Sequence, residues 1–144
     1  RKNFEHACAP TEKDRASYLK ENFIPLYESG KLKLLDSFSE LGLKGIDGIL
    51  SDGHTLGMWL PKITSQGKTA VYCADLIPTS SHLPVPFVMG YDLYPLISME
   101  EKRSLLKQAA DEIWILIFEH EPKFSACTVQ SSEKGIVLKD VTSI

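Results

Sequence analysis

The chain has 144 residues, 43% of them hydrophobic and 24% charged, with a formal net charge of -3 and a pI near 5.8. That is the length and composition of one soluble globular domain, and the mildly acidic balance removes any electrostatic reason to expect nucleic acid or an anionic membrane as a partner. Cys8, Cys73 and Cys127 form no CxxC pair and no even set, which argues against a disulfide scaffold or a cysteine-rich zinc module and points to a reducing, cytoplasmic setting.

The chain opens Arg1-Lys2-Asn3, with neither a methionine nor a signal-peptide pattern, so a start inside a longer protein is expected. Over residues 13–29 the apolar positions Ala16, Leu19, Phe23, Leu26 and Tyr27 recur at helical spacing, predicting a helix with a kink or break at Pro25 and an end at Gly30. The alternation Lys31-Leu32-Lys33-Leu34 predicts a half-buried strand. Residues 43–68 read as strands punctuated by Asp47-Gly48, Asp52-Gly53 and Gln66-Gly67. A short apolar run at 69–73 follows and ends on Ala74-Asp75, a carboxylate at a strand tip.

Residues 80–95 are rich in proline and aromatics without periodicity, and are expected to form an ordered loop, being too apolar for disorder. Ser98-Met99-Glu100-Glu101 has the capping-box pattern and predicts a helix start, with Leu105, Leu106 and Ala109 facing inward. The run 113–118, the longest strongly apolar stretch, is far too short to span a bilayer and predicts a buried strand. It ends on Glu119-His120-Glu121-Pro122, and two more strands, about 125–130 and 135–139, close the chain around a polar turn.

Three polar strand tips thus present His54, Asp75 and His120, separated by 21 and 45 residues. Two imidazoles and one carboxylate suit a divalent ion: neutral nitrogen donors plus an anionic oxygen able to bridge two metals. On the residues alone the alternative stays open, because a histidine at a strand end is commonly a surface or internally satisfied side chain.

The local words carry more. Ser51-Asp52-Gly53-His54-Thr55-Leu56-Gly57 closely resembles the DGHTPGH segment of the metallo-β-lactamase superfamily. Val71-Tyr72-Cys73-Ala74-Asp75-Leu76 resembles its strand-then-GD segment, and Phe118-Glu119-His120-Glu121 its terminal strand-then-H segment. All three stand in family order, and the resemblance covers about residues 13–130. It implies an α/β (α+β) fold, namely the C-terminal part of an αβ/βα sandwich, a mixed sheet with flanking helices. It also implies a hydrolase that uses two metal ions, zinc most often, with His54 on the first, His120 on the second and Asp75 bridging. The metal-activated water of such an enzyme attacks an ester, thioester, amide or phosphoester of a small molecule.

Three departures stand out. The HxHxDH segment that provides the remaining family ligands is absent, and His6 is the only histidine before His54. Leu56 and Met58 replace the usual proline and a frequent histidine, and Ala74 replaces the glycine before the bridging aspartate. The first departure leads to the expectation that residues 1–144 are a single, partial domain. It would hold metal incompletely or not at all, be inactive alone, and pair as a homodimer or with a missing N-terminal half. The rival expectation is a non-catalytic half-domain that binds or supports a partner. His82 is a candidate pocket residue or, equally, a structural hydrogen-bonding group. Glu119 and Glu121 are read as exposed carboxylates or as acceptors that orient His120, the aromatics Trp59, Phe87, Tyr91 and Tyr94 as core or pocket wall, and Cys73 as a small buried apolar residue.

Overall fold

Six strands pair in chain order into one mixed sheet in the computed structural model, which describes residues 1–142. They are β1 (Ile46–Ser51), β2 (Met58–Ser65), β3 (Lys68–Tyr72), β4 (Ile115–Ile117), β5 (Ala126–Ser132) and β6 (Gly135–Thr142). Every neighbouring pair is antiparallel except β3 and β4, which are parallel. A parallel pair needs a long crossover, and α3 (Pro95–Asp111) lies within it. This connectivity sends β1, β3 and β4 in one direction, so their C-terminal ends meet at one edge of the sheet.

Register divides the sheet into two unlike faces, because directly paired residues share a face. One row, Val71, Leu116 and Cys127, is fully buried together with Leu60. Leu105, Leu106 and Ala109 of α3 join them in a single core, each buried aliphatic contributing roughly 1.5–3 kcal/mol before entropy is counted. Trp114 closes one end of that core, with Lys62 Nζ 4.1 Å above its ring. The other face carries the pairs Leu50–Trp59, Ile63–Ala70 and Ala70–Ile115. There Leu50 and Ile63 remain 43% and 41% exposed.

Helices α1 (Lys2–Cys8) and α2 (Lys20–Glu28) form a satellite around Phe4, whose ring meets Phe23 edge-on at 5.7 Å and Tyr27 at 4.7 Å. The predicted helix over 13–29 is therefore shorter: a 3-10 turn at Arg15–Ser17 precedes α2, which contains Pro25, and Gly30 follows it at φ 71°. The strand expected at 31–34 does not form. Alternation needs a neighbouring strand to pair with, and among the described residues this segment has none; just beyond it the Arg1 amino group donates to the Leu35 carbonyl.

The capping box is also overturned. Pro95, whose fixed φ and missing N–H suit a first helical turn, begins α3 three residues before Ser98. Ser98 is consequently internal, its buried hydroxyl without a partner among the described residues, and Glu101 reaches across to the end of β1. The buried strand at 113–118 contracts to the three residues of β4, although Trp114 and Phe118 beside it are buried as expected.

Candidate metal centre

His54 leaves β1 through a loop held from beneath by α3. Glu101 accepts hydrogen bonds from the Ser51 hydroxyl (2.7 Å) and from the Asp52 and Gly53 amides (2.7 and 3.2 Å). A Cβ on Gly53 would stand 2.4 Å from the Ser98 amide nitrogen, so only glycine lets the loop lie this close to the helix. Asp52 closes the loop by accepting from the Gly57 amide at 2.8 Å and from Lys2 Nζ at 2.6 Å. The Leu93 and Tyr94 amides donate to the His54 and Gly53 carbonyls, joining this loop to the proline-rich one.

That second loop brings Asp92 under the imidazole. Asp92 Oδ1 lies 2.9 Å from His54 Nδ1, with the carboxylate side chain only 4% exposed. The hydrogen bond to Asp92 raises the His54 pKa against the opposing effect of burial, with the charges of Asp75, Asp92 and Glu119 adding to it. Occupying Nδ1 leaves Nε2 as the outward donor.

The three predicted site residues come together through Asp75. His54 Nε2 stands 3.4 Å from Asp75 Oδ2, and His120 Nε2 stands 3.3 Å from Asp75 Oδ1. Each carboxylate oxygen thus faces a different imidazole. Two donors bound at about 2.0–2.1 Å to one tetrahedral ion stand roughly 3.3–3.4 Å apart, so both pairs have the separation that a shared ion would require. Asp75 is placed by a 3-10 turn at Ala74–Leu76, anchored where the Cys73 amide donates to the Ile117 carbonyl at 2.9 Å. His120 is fixed by its amide donating to the Pro78 carbonyl at 3.0 Å, while Glu121 accepts from the Ser80 amide and hydroxyl.

A cavity of about 300 Å³ opens onto these groups, lined also by Lys13, Asp14, Ser17, Tyr18, Thr55, Met89 and Tyr91. His82 is not part of that lining. Its Nδ1 lies 2.8 Å from the Thr79 hydroxyl, and burial followed by the Lys102 charge lowers its pKa. Among the aromatics weighed as core or wall, only Tyr91 reaches the cavity; Phe87 and Tyr94 are exposed, and Trp59 packs on Phe38. Cys73 is fully buried, which drives its thiol pKa up and leaves it inert.

Sequence reasoning did not find Asp92, Lys13 or Tyr18, and it gave Glu119 no more than an orienting role. Asp92 sits in an aperiodic loop, where no spacing rule could couple it to His54. The ligand atoms of Asp75, Glu119 and His120 lie within 4.8 Å of one another, a grouping that no other histidine, cysteine or acidic trio attains among the described residues. At the end of β3, burial first and the neighbouring Glu119 carboxylate second push the Tyr72 phenol pKa up to about 12.

No protein-family model and no curated protein matches the chain. Solved structures do. A probable metal-dependent hydrolase from Staphylococcus aureus is 27% identical at a TM-score of 0.76, over 98% of this chain and 49% of that one. A hydrolase in the β-lactamase superfamily has 18% identity and a TM-score of 0.70, over 97% of this chain and 50% of its own. A dizinc quorum-quenching lactonase has 20% identity and a TM-score of 0.72, over 97% and 52%. The chain shares the α/β architecture of these structures, a mixed sheet with flanking helices, and it spans about half the length of each. None of its described helices is long and apolar enough to cross a membrane.

Proposed function

We propose that this chain forms one wall of a metal-dependent hydrolase centre acting on a small ester, thioester, amide or phosphoester. The observation that carries the reading is Asp75, whose two oxygens each face a different imidazole at 3.3 and 3.4 Å. That arrangement suits a carboxylate bridging two ions, with His54 on one and His120 on the other. Nitrogen and carboxylate donors fit zinc, and fit iron or manganese as well.

When bound, such ions would acidify a water and polarise the carbonyl or phosphoryl group under attack. This chain's own residues do the rest. Asp92 holds the His54 ring with Nε2 outward. Glu101 fixes the loop that carries His54, and Met89 and Tyr91 give the cavity an apolar wall beside the polar Tyr18 and Lys13. Cys8, Cys73 and Cys127 are all unpaired, which supports the reducing compartment.

On the His54 side the described residues offer one imidazole and one shared carboxylate, fewer than the three protein ligands of a catalytic zinc. In this reading the remaining donors come from polypeptide outside these 144 residues, packed on the sheet face that carries Leu50 and Ile63; without it, two copies cover that face. The 144-residue chain is then inactive alone. The same shortage favours a second reading, a half-domain that binds a partner without catalysis.

A panel of aryl ester, lactone, thioester and phosphodiester substrates separates the two. The full translated product of the gene, supplied with zinc or manganese, should hydrolyse at least one class, and Asp75→Asn should abolish it. A full product inert towards every class, but still holding a partner on the exposed face, would establish the binding module instead.

A further inference from the structure

Glu119 is left without a role by the bridging scheme, yet it sits inside the centre. Its carboxylate is within 4.8 Å of ligand atoms on both Asp75 and His120, at the tip of the same strand that delivers His120. We propose that Glu119 is a metal ligand, and that Asp75, Glu119 and His120 by themselves bind one divalent ion in this chain, ahead of any ion on the His54 side. The inference rests on the reading of the Asp75 edge as a metal centre and adds to it a donor, a stoichiometry and an order of filling.

Three arguments carry it. The first is ligand count. The His54 side has His54 Nε2 and Asp75 Oδ2, whereas the His120 side has His120 Nε2, Asp75 Oδ1 and Glu119. Three protein donors with one open position make up the ligand set of a catalytic zinc. The second is charge. Two carboxylates crowded at one sheet edge repel each other, and a dication neutralises both, so binding removes an unfavourable term that a single carboxylate site lacks. The third is preorganisation. The Cys73 amide anchors the turn that carries Asp75 on the Ile117 carbonyl, and the Pro78 carbonyl holds the His120 backbone, so the chain positions that present these donors are set before binding.

Two oxygens and one nitrogen form a harder donor set than clustered histidines, so manganese and iron(II) bind here alongside zinc. The ion need not await the donors missing from the His54 side.

Calorimetry of the metal-stripped 144-residue chain with Zn2+ and with Mn2+, paired with Co2+ absorption as an independent readout, tests this. The expected result is one ion per chain. Glu119→Gln should weaken it about 10–100-fold or more, a larger loss than His54→Ala produces, as befits a ligand rather than a neighbour. Glu121→Gln removes the same charge two residues away, where the carboxylate serves Ser80, and should keep wild-type affinity. Glu119 is exposed, so its substitution leaves the fold intact, and the far-ultraviolet dichroism of each variant confirms that.

Wild-type affinity in Glu119→Gln, with binding abolished in His120→Ala and Asp75→Asn, overturns the proposal and leaves the metal centre standing. Equal losses in Glu119→Gln and Glu121→Gln overturn it too, since only local charge would then be at work. A wild-type chain that binds none of the three ions overturns the proposal together with the centre.

Discussion

In the proposed centre, Asp92 and Ala74 are single residues outside the candidate ligands whose surroundings bear on the site. A carboxylate behind a ligating imidazole fixes its tautomer and orientation, and losing such a partner typically costs 10–100-fold in metal affinity. Asp92→Asn keeps the shape and removes the anion, so it should weaken zinc binding to the fully assembled centre by about that factor. Competition with a chelator of known affinity reads this directly. Ala74 adopts φ 43°, in the left-handed region that penalises a Cβ by roughly 1–2 kcal/mol. It is the position where the resembled family has glycine. Ala74→Gly should raise stability by about 1 kcal/mol or less, because glycine's greater freedom in the unfolded chain returns part of the gain. A shift of the urea midpoint at unchanged slope would verify it.

At the scale of elements, α3 organises both loops of the site. Its Glu101 holds the loop that carries His54, and its fully buried Lys102 ties down the proline-rich loop by donating to the carbonyls of Pro84 (3.0 Å), Val85 (3.4 Å) and Phe87 (2.7 Å). Burial pushes the Lys102 ammonium down to about 8 from 10.5. Below pH 8 folded and unfolded chains both carry the proton, and the burial cost is fully felt. Between pH 8 and 10.5 the unfolded chain alone keeps it, so stability rises with pH across that window, by up to about 3 kcal/mol. Lys102→Met abolishes the rise and leaves three carbonyls without a donor. Urea denaturation at pH 7, 8, 9 and 10 should therefore show the wild type gaining on Lys102→Met as pH increases; parallel curves would refute the assignment.

The whole molecule presents one finished face and one unfinished face. The face under α3 buries Leu60, Val71, Leu116 and Cys127 completely, while Leu50 and Ile63 on the other stay more than two-fifths exposed. Apolar surface left in water costs about 25 cal/mol per Å², and a two-fold contact can bring such a patch against itself. The 144-residue chain is expected to run above monomer mass in light scattering at micromolar concentration. Ile63→Asp, which places a charge in the middle of the patch, should return it to monomer. A strictly monomeric wild type that fails to bind a hydrophobic dye would mean that the sheet needs no cover.

Much of the site was legible along the chain because strand tips are local. His54, Asp75 and His120 each follow a short apolar run and stand in words whose residue types have local causes, such as the glycine that lets residue 53 lie against α3. The inward positions Leu105, Leu106 and Ala109 were equally legible, since helical spacing marks a face without knowing its partner. The capping pattern at Ser98 and the alternation at 31–34 misled for a common reason. A side chain capable of a local bond takes a distant partner when packing offers one, as Glu101 does with the end of β1, and an alternating segment is a strand only beside another strand. Which residues meet was decided by topology. Two antiparallel steps and one parallel step point β1, β3 and β4 the same way, and that alone gathers three tips onto one edge. Asp92 and Glu119 acquire their places from this gathering. Their neighbours lie 38 and 44 residues away in the chain, at His54 and Asp75, beyond the reach of any spacing rule.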